Sequence, residues 1–387
     1  MHFFAPHIRA NPLEARLVAL ADQDETRLKS AIDDLGGGIR AYNSLGAMLG
    51  DPDVGAVVIT TPDATHRQMF DEALDSGRHI ICEKPMATTL EDAVHMARRA
   101  VAAPQVVQVG FMLRYAPFFV KLKEVVDSGV IGPLVQIGAA EVVEYYHGAA
   151  FFRRWHRFRK NSGGLLVHKA CHTLDVINWI VDSAPSRVSA QGGTDTFVPN
   201  PQAAARCRDC SLRTTCPAAY RLEHRNYIYQ TIQEREDLAT YANDLCVYNS
   251  DKDSVDNAAI IVEYESGVRL AFNFTTTGPR HERHLLLVGQ KGAIRASQAD
   301  GTISVAPVGA EPKTMVLPEE FRGEHGGGDS HLVNSFLESV ATGSKPVAGV
   351  VAGLHSVALG VAATHSIDQG GQVFDLRPYL ADVTSTS

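Results

Sequence analysis

No run of residues in the 387-residue chain comes near the ~20 consecutive apolar positions of a membrane span. Positive charge is in short supply as well. Lys and Arg number 36 against 44 Asp and Glu, a net charge of −8. That balance argues against a broad basic nucleic-acid surface and against a polybasic membrane patch. The opening Met1-His2-Phe3-Phe4-Ala5-Pro6-His7 lacks the charged-then-apolar layout of a signal peptide, so the cytoplasm is the default location. Cysteines number only six, and in a reducing compartment they read as thiols or metal ligands rather than disulfides. Glycine is missing from one particular place: the first in the chain is Gly36.

What is present is an ordinary globular composition, 45% apolar and 21% charged. The length favours two domains. Residues 1–115 alternate short apolar runs with polar, periodic stretches. The runs are Leu17–Ala21, Ala56–Thr60, His79–Cys82 and Val106–Val109. Each reads as a strand buried on both faces of a parallel sheet, so the first domain is expected to be α/β and Rossmann-like. Thr88 and Glu91 are spaced as a capping box. Residues 116–380 change rhythm. Helices are expected over 117–128, 163–182, 329–342 and 349–369. Strands are expected over 134–145, 186–193, 257–265, 268–276, 283–289 and 292–297, with hairpin turns at Ser266-Gly267 and Gln290-Lys291. The second domain therefore reads as α+β with a mixed or antiparallel sheet, carrying a cysteine-bearing insertion at 200–250.

Asp22 closes the second-strand candidate. An acid there accepts hydrogen bonds from the adenosine ribose hydroxyls and repels a 2′-phosphate; it also suits a helix N-cap. A strand and a glycine-rich turn should lie about 20 residues upstream, and neither is there. The first strand and the phosphate loop are read as missing, through a late start codon or a genuine loss of the pyrophosphate cradle. Thr60-Thr61-Pro62-Asp63-Ala64-Thr65-His66 and Glu83-Lys84-Pro85 follow strand candidates, where ligands of open α/β sheets bind. Lys84 so placed can polarise a sugar hydroxyl; a Lys-Pro pair is also a common surface turn.

Thr61-Pro62 with His66, Glu83-Lys84-Pro85, Arg114-Tyr115, and Gly163-Gly164 followed by His172 and Asp175 occur in an order and spacing that resembles the glucose–fructose oxidoreductase / inositol dehydrogenase / MocA (Gfo/Idh/MocA) family across residues 1 to about 376. The resemblance implies a Rossmann domain, an open-faced α+β domain and NAD(P)-linked oxidation or reduction of a sugar, sugar derivative or cyclitol. It implies cofactor contacts from Asp22, Thr60, Thr61, Pro62, His66, Glu83, Lys84 and Arg114. It places Lys84 beside the nicotinamide and His172 as acid/base. It also implies a homo-oligomer, dimer or tetramer. Many members carry an acid four residues before the histidine; here that position is His168. His168 and His172 share a face of a continuous helix. The run resembles a subgroup in which Lys169 is an extra site residue. Asp175 would orient His172. Asp22 favours NAD over NADP.

Cys207-x2-Cys210-x5-Cys216, with Cys246 further on, suits four thiolates around a structural Zn²⁺; free or redox thiols are the alternative. Cys82 and Cys171 read as buried apolar side chains. The basic, aromatic run Arg153–Lys160 is read as a substrate-side loop, with Arg153, Trp155, His168 and Asp175 as substrate contacts, rather than a nucleic-acid patch. His325 before a glycine run is a weak cleft candidate. The leading function is a nicotinamide-dependent oxidoreductase in which His172 takes the hydroxyl proton while Lys84 and Lys169 stabilise the alkoxide. The alternative is a non-catalytic ligand-sensing or scaffold protein on the same fold. The missing loop and His168 favour that alternative, while Lys84 and His172 oppose it.

Overall fold

The computed structural model describes residues 4–10, 15–220, 244–321 and 327–384. After a helix at Phe4–Ala10, the first domain builds strands β1 (Ala19–Ala21), β2 (Arg40–Tyr42), β3 (Ala56–Ile59), β4 (His79–Cys82) and β5 (Val107–Val109), with helices between. All pairings are parallel, but they form two sheets, β1–β2 and β3–β4–β5. No strand joins the two among the described residues. In a doubly wound sheet the place between them belongs to the first strand. The runs of β3 to β5 are buried as their Val, Ile and Cys content dictates. The helix after β4 is capped one residue later than expected: Thr89 accepts from the Asp92 amide at 3.1 Å.

The second domain is a nine-stranded sheet. Its strands are β6 (Leu134–Glu144), β7 (Pro185–Gly193), β8 (Asn257–Tyr264), β9 (Arg269–Gly278), β10 (Glu282–Gly289), β11 (Gly292–Ser297), β12 (Thr302–Pro307), β13 (Lys313–Val316) and β14 (Phe374–Asp375). The order is β13-β12-β11-β10-β6-β9-β8-β7-β14. Neighbours are antiparallel except for the parallel pair β6–β9. Alternation decides the faces. Ile137, Ala139, Glu141 and Val143 of β6 are buried under helices, while the side chains between them lie on the open face.

Two sequence readings need correction. Val350–Asp368 forms one helix of 19 residues with mean hydropathy 1.5, long and apolar enough to cross a membrane, and 67% of that stretch is buried. It is the core helix joining both domains, packed on β7 and on helices Leu90–Val101 and Cys171–Val181. A Cβ at Gly360 would stand 2.7 Å from the Leu166 carbonyl oxygen, so only glycine permits this approach. The long helix expected over 163–182 is broken into Leu165–His168 and Cys171–Val181. The Ala170 amide donates to the Leu165 carbonyl, five residues back, at 3.0 Å. That wide turn interrupts the simple i, i+4 register between His168 and His172.

Buried charge fixes the second of these helices. Arg114 lies in the turn Met112–Tyr115 where the first domain ends. Its Nε and Nη2 donate to both oxygens of Asp175 at 2.8 Å, and its Nη1 donates to the Val347 carbonyl at 2.9 Å. Asp175 is 0% exposed and Arg114 8%. Two residues earlier, on the opposite side of the helix, Thr173 donates to Glu141 at 2.7 Å, and Arg283 donates to Thr173, Glu141 and Gln298 at 2.9 Å each. Removing one member of a buried pair strands the other charge. Arg114→Ala is therefore expected to lower unfolding free energy by about 3–5 kcal/mol in urea titrations. The exposed Lys121→Ala should change it by no more than about 0.5 kcal/mol.

Candidate active site

Gly163 and Gly164 adopt left-handed φ of 73° and 84°. A Cβ at Gly163 would stand 2.9 Å from the Thr88 carbonyl oxygen of the first domain. This turn delivers Leu165–His168 onto the carboxyl ends of β3 and β4. The Leu165 amide is held by Ser254 Oγ at 2.8 Å, and the Cys171 carbonyl by Ser356 Oγ at 3.0 Å. Lys84, just beyond β4, donates from Nζ to the His168 carbonyl at 3.1 Å. His168 Nδ1 lies 2.5 Å from Asp63 Oδ2. Both His168 and Asp63 are buried, and they belong to opposite domains.

The His168 ring is walled by Phe151, Trp155 and His156, with ring centroids 5.7, 5.8 and 4.5 Å away. Trp155 and His156 stack at 3.9 Å. Burial, then the charges of Lys84 and Lys169 and the proximity of His66 and His147, hold His168 well below the usual imidazole value. Burial also holds His156 well below it, with His168 and Arg154 adding to the effect. Burial pushes Asp63 up to about 7 against the pull of His66 and Lys84. Lys169 and His172 are both buried, at 4% exposure each.

Several expected site residues are placed elsewhere or turned to other work. Arg114 and Asp175 bind each other, so neither the cofactor contact nor the orienting of His172 falls to them. The His66 ring lies between the carbonyl oxygens of Thr61 and Pro85, 2.9 Å from each. It staples the ends of β3 and β4 rather than facing a ligand. Glu83 turns back to accept from the Lys84 amide at 3.0 Å. Arg153 is buried on the far side of its helix from His147 and Phe151. Its guanidinium lies 5.8 Å from the Tyr146 ring and acts on Cys207 and Cys216. It does not reach the His168 cluster. Its neighbours Arg157 and Arg159 pair with Asp251 and Asp368. Sequence reading passed over Asp63, His156 and Phe151. For Asp63 the signal was its place inside the Thr60–His66 motif.

Asp22, Thr60, Thr61 and Pro62 remain at the carboxyl edge, where a dinucleotide would lie. Asp22 Oδ1 accepts from the Asp24 amide at 2.8 Å, leaving Oδ2 for a ribose hydroxyl. Thr60, Thr61 and Pro62 are exposed directly after the buried Ile59. This donor set fits the ribose and nicotinamide ends of NAD; no glycine-rich loop for the pyrophosphate occurs among the described residues.

Cys207, Cys210, Cys216 and Cys246 do converge, lining one cavity of about 220 Å³. Asp244 anchors this insertion through Arg206 at 2.8 Å and Arg208 at 2.6 Å. Burial pushes its carboxyl up, but Arg208 and Arg206 outweigh that and hold it at about 2. Among the described residues no group of three or more His, Cys, Asp or Glu is arranged to hold a metal ion. The zinc expectation is therefore not supported; the cysteines line a cavity without closing on a point. Cys82 and Cys171 are buried as expected, and burial pushes Cys171 up to about 12. Residues 221–243 of the insertion and His325 lie outside the described residues.

A depressed imidazole favours folding above its unfolded value and ceases to do so as pH falls through it. His156 should therefore cost stability below its ordinary 6.5. His156→Phe keeps the stack on Trp155 without the titration. Its loss of melting temperature between about pH 7.5 and 5.5 should be smaller than that of the parent protein.

Models of two family domains match the chain. The oxidoreductase family's NAD-binding Rossmann fold matches residues 2–111, and its C-terminal alpha/beta domain matches residues 123–374. YteT of Bacillus subtilis is 28% identical over 347 residues, 82% of this chain and 79% of YteT. Inositol 2-dehydrogenase 1 of Saccharopolyspora erythraea is 31% identical over 199 residues, 51% of this chain and 55% of that protein. The solved complex of levoglucosan dehydrogenase with NADH and levoglucosan superimposes with a TM-score of 0.75 at 17% identity, over 96% of this chain and 95% of the other. That likeness bears on fold alone. With both domain models matched in order over nearly the whole length, the chain belongs to the Gfo/Idh/MocA oxidoreductase family.

Proposed function

We propose that the protein is an NAD-dependent oxidoreductase of a sugar, sugar derivative or cyclitol. The observation that carries this reading is Lys84 at the end of β4, hydrogen-bonded across the domain boundary to the backbone of the His168–His172 segment. An ammonium group and the His168 imidazole thereby lie beside the strand ends where a nicotinamide belongs. The name of one relative, an inositol dehydrogenase, supports a polyhydroxylated substrate.

When bound, NAD supplies the hydride acceptor or donor. The protein's own residues do the rest. The Asp22 carboxylate accepts from the ribose hydroxyls and repels a 2′-phosphate, favouring NAD over NADP. Lys84 stabilises negative charge developing on the substrate oxygen, with Lys169 adding positive potential. The hydroxyl proton is exchanged with an imidazole of the His168–His172 segment, His172 being the one the family resemblance implies. Trp155, half-exposed beside His168, offers a flat apolar face to the C–H side of a ring. The retained Lys84 and His172 weigh against a purely sensing or scaffolding role.

Calorimetry with NAD⁺ and NADP⁺ should show the tighter binding for NAD⁺. A panel of sugars and cyclitols should give NADH formation that Lys84→Met lowers about 100-fold in kcat or more, with a small change in KM. Binding of NAD⁺ without turnover of any panel member would overturn the assignment of substrate class.

A further inference from the structure

The buried contact between Asp63 and His168 connects a carboxyl group just after β3 in the first domain with an imidazole in the second, at 2.5 Å. Asp63 is 5% exposed and His168 8%, so the contact is buried between the two domains. Among the described residues Asp63 is the carboxyl group that faces this ring. The other titratable groups around it are Lys84 from the end of β4, His66 from helix His66–Asp75, His147 from helix Tyr145–Arg153, His156 from the turn Trp155–Arg157, and the adjacent Lys169. All are cationic or able to become so. They oppose a second positive charge on His168 and favour a negative one on Asp63.

With Nδ1 engaged, the ring has one nitrogen left. We propose that Asp63 is a positioning residue for His168: its carboxylate accepts the Nδ1–H and leaves Nε2 as the proton acceptor for the substrate hydroxyl. Asp63 thus supplies, from the other domain, the acid that this helix lacks at position 168. This rests on the oxidoreductase reading above and names the imidazole within it. In the oxidation direction the substrate C–H bond breaks and its electron pair leaves with the hydrogen as hydride to NAD⁺, which is reduced. The C=O bond forms, and the hydroxyl proton moves to Nε2. The Asp63 carboxylate balances the resulting imidazolium. In reduction the same proton returns to the carbonyl oxygen. A carboxylate–imidazole pair of this kind takes up one proton as a unit. Burial raises Asp63 to about 7, which puts that uptake close to neutral pH.

Asp63→Asn is the decisive variant, because an amide N–H can donate to Nδ1 and so selects the opposite tautomer, with Nε2 protonated. The first readout needs neither cofactor nor substrate. Long-range ¹H–¹⁵N NMR, with His168 assigned by its loss in His168→Gln, should show protonated Nδ1 and bare Nε2 in the parent at about pH 8. Asp63→Asn should show the reverse. The second readout is the pH profile. In the parent, kcat for oxidation should rise through about pH 7. Asp63→Asn should lower kcat about 100-fold or more and remove the rise, with KM changed less than about threefold. A protonated Nε2 in the parent, or a pH profile unchanged in Asp63→Asn, would overturn the proposal. If Asp63→Asn does not fold, the parent tautomer alone decides. If no sugar or cyclitol is turned over while the tautomers behave as expected, the substrate class fails and the positioning role stands.

Discussion

A two-pronged ion pair without water on either side sets the geometry on which the candidate site depends. Arg114, in the last turn of the first domain, grips Asp175 in the middle of helix Cys171–Val181. Such a pair adds little net stability, because desolvation offsets most of the attraction. It is, however, intolerant of displacement: sliding the helix strands two buried charges at once. Thr173, held by Glu141 and Arg283 of the sheet, pins the same helix from the opposite side. His172 directly precedes Thr173 on this helix, so both anchors hold the element that carries it.

The segment before this helix obeys a different constraint. Its break at Lys169–Ala170 brings the His168 carbonyl to Lys84 and the His168 ring to Asp63. Lys84 and Lys169 crowd the region, and burial and neighbouring positive charge act in one direction on His156 and His168, holding both well below the usual imidazole value. Asp63 is the counterweight. Its high value reflects lost hydration, only partly offset by His66 and Lys84. A buried acid and a buried base in contact, each driven toward its neutral form, titrate as a coupled pair and not as two separate groups.

The cysteine insertion shows how spacing can be right and its conclusion unsupported. Its four thiols do meet, but around a cavity and not a point. Arg153 is a related case. A basic, aromatic run suggested a substrate loop, yet Arg153 faces inward toward the insertion, while Trp155, two residues on, joins the His168 cluster. Residues two apart on a helix or turn face nearly opposite ways, and composition cannot say which side meets the site.

Patterns of local period were legible without coordinates. β6 to β11, the hairpin turns, the helices at 117–128 and 349–369, and the strand ends bearing Thr61 and Lys84 all follow from alternation, apolar runs and glycine. So did the family, from motifs whose order survives along the chain. The short edge strands β13 and β14 carry too little pattern to be read, and β12 between β11 and β13 was passed over. Pairings between distant residues were beyond the sequence for a stricter reason. Asp175 was read as the partner of His172, three residues away, and it belongs to Arg114, 61 residues back. His168 looked like a lost acid until Asp63, 105 residues earlier, proved to supply one. Local sequence fixes which groups are available and which way each element repeats; only tertiary packing removes the water and so decides which charges must find each other.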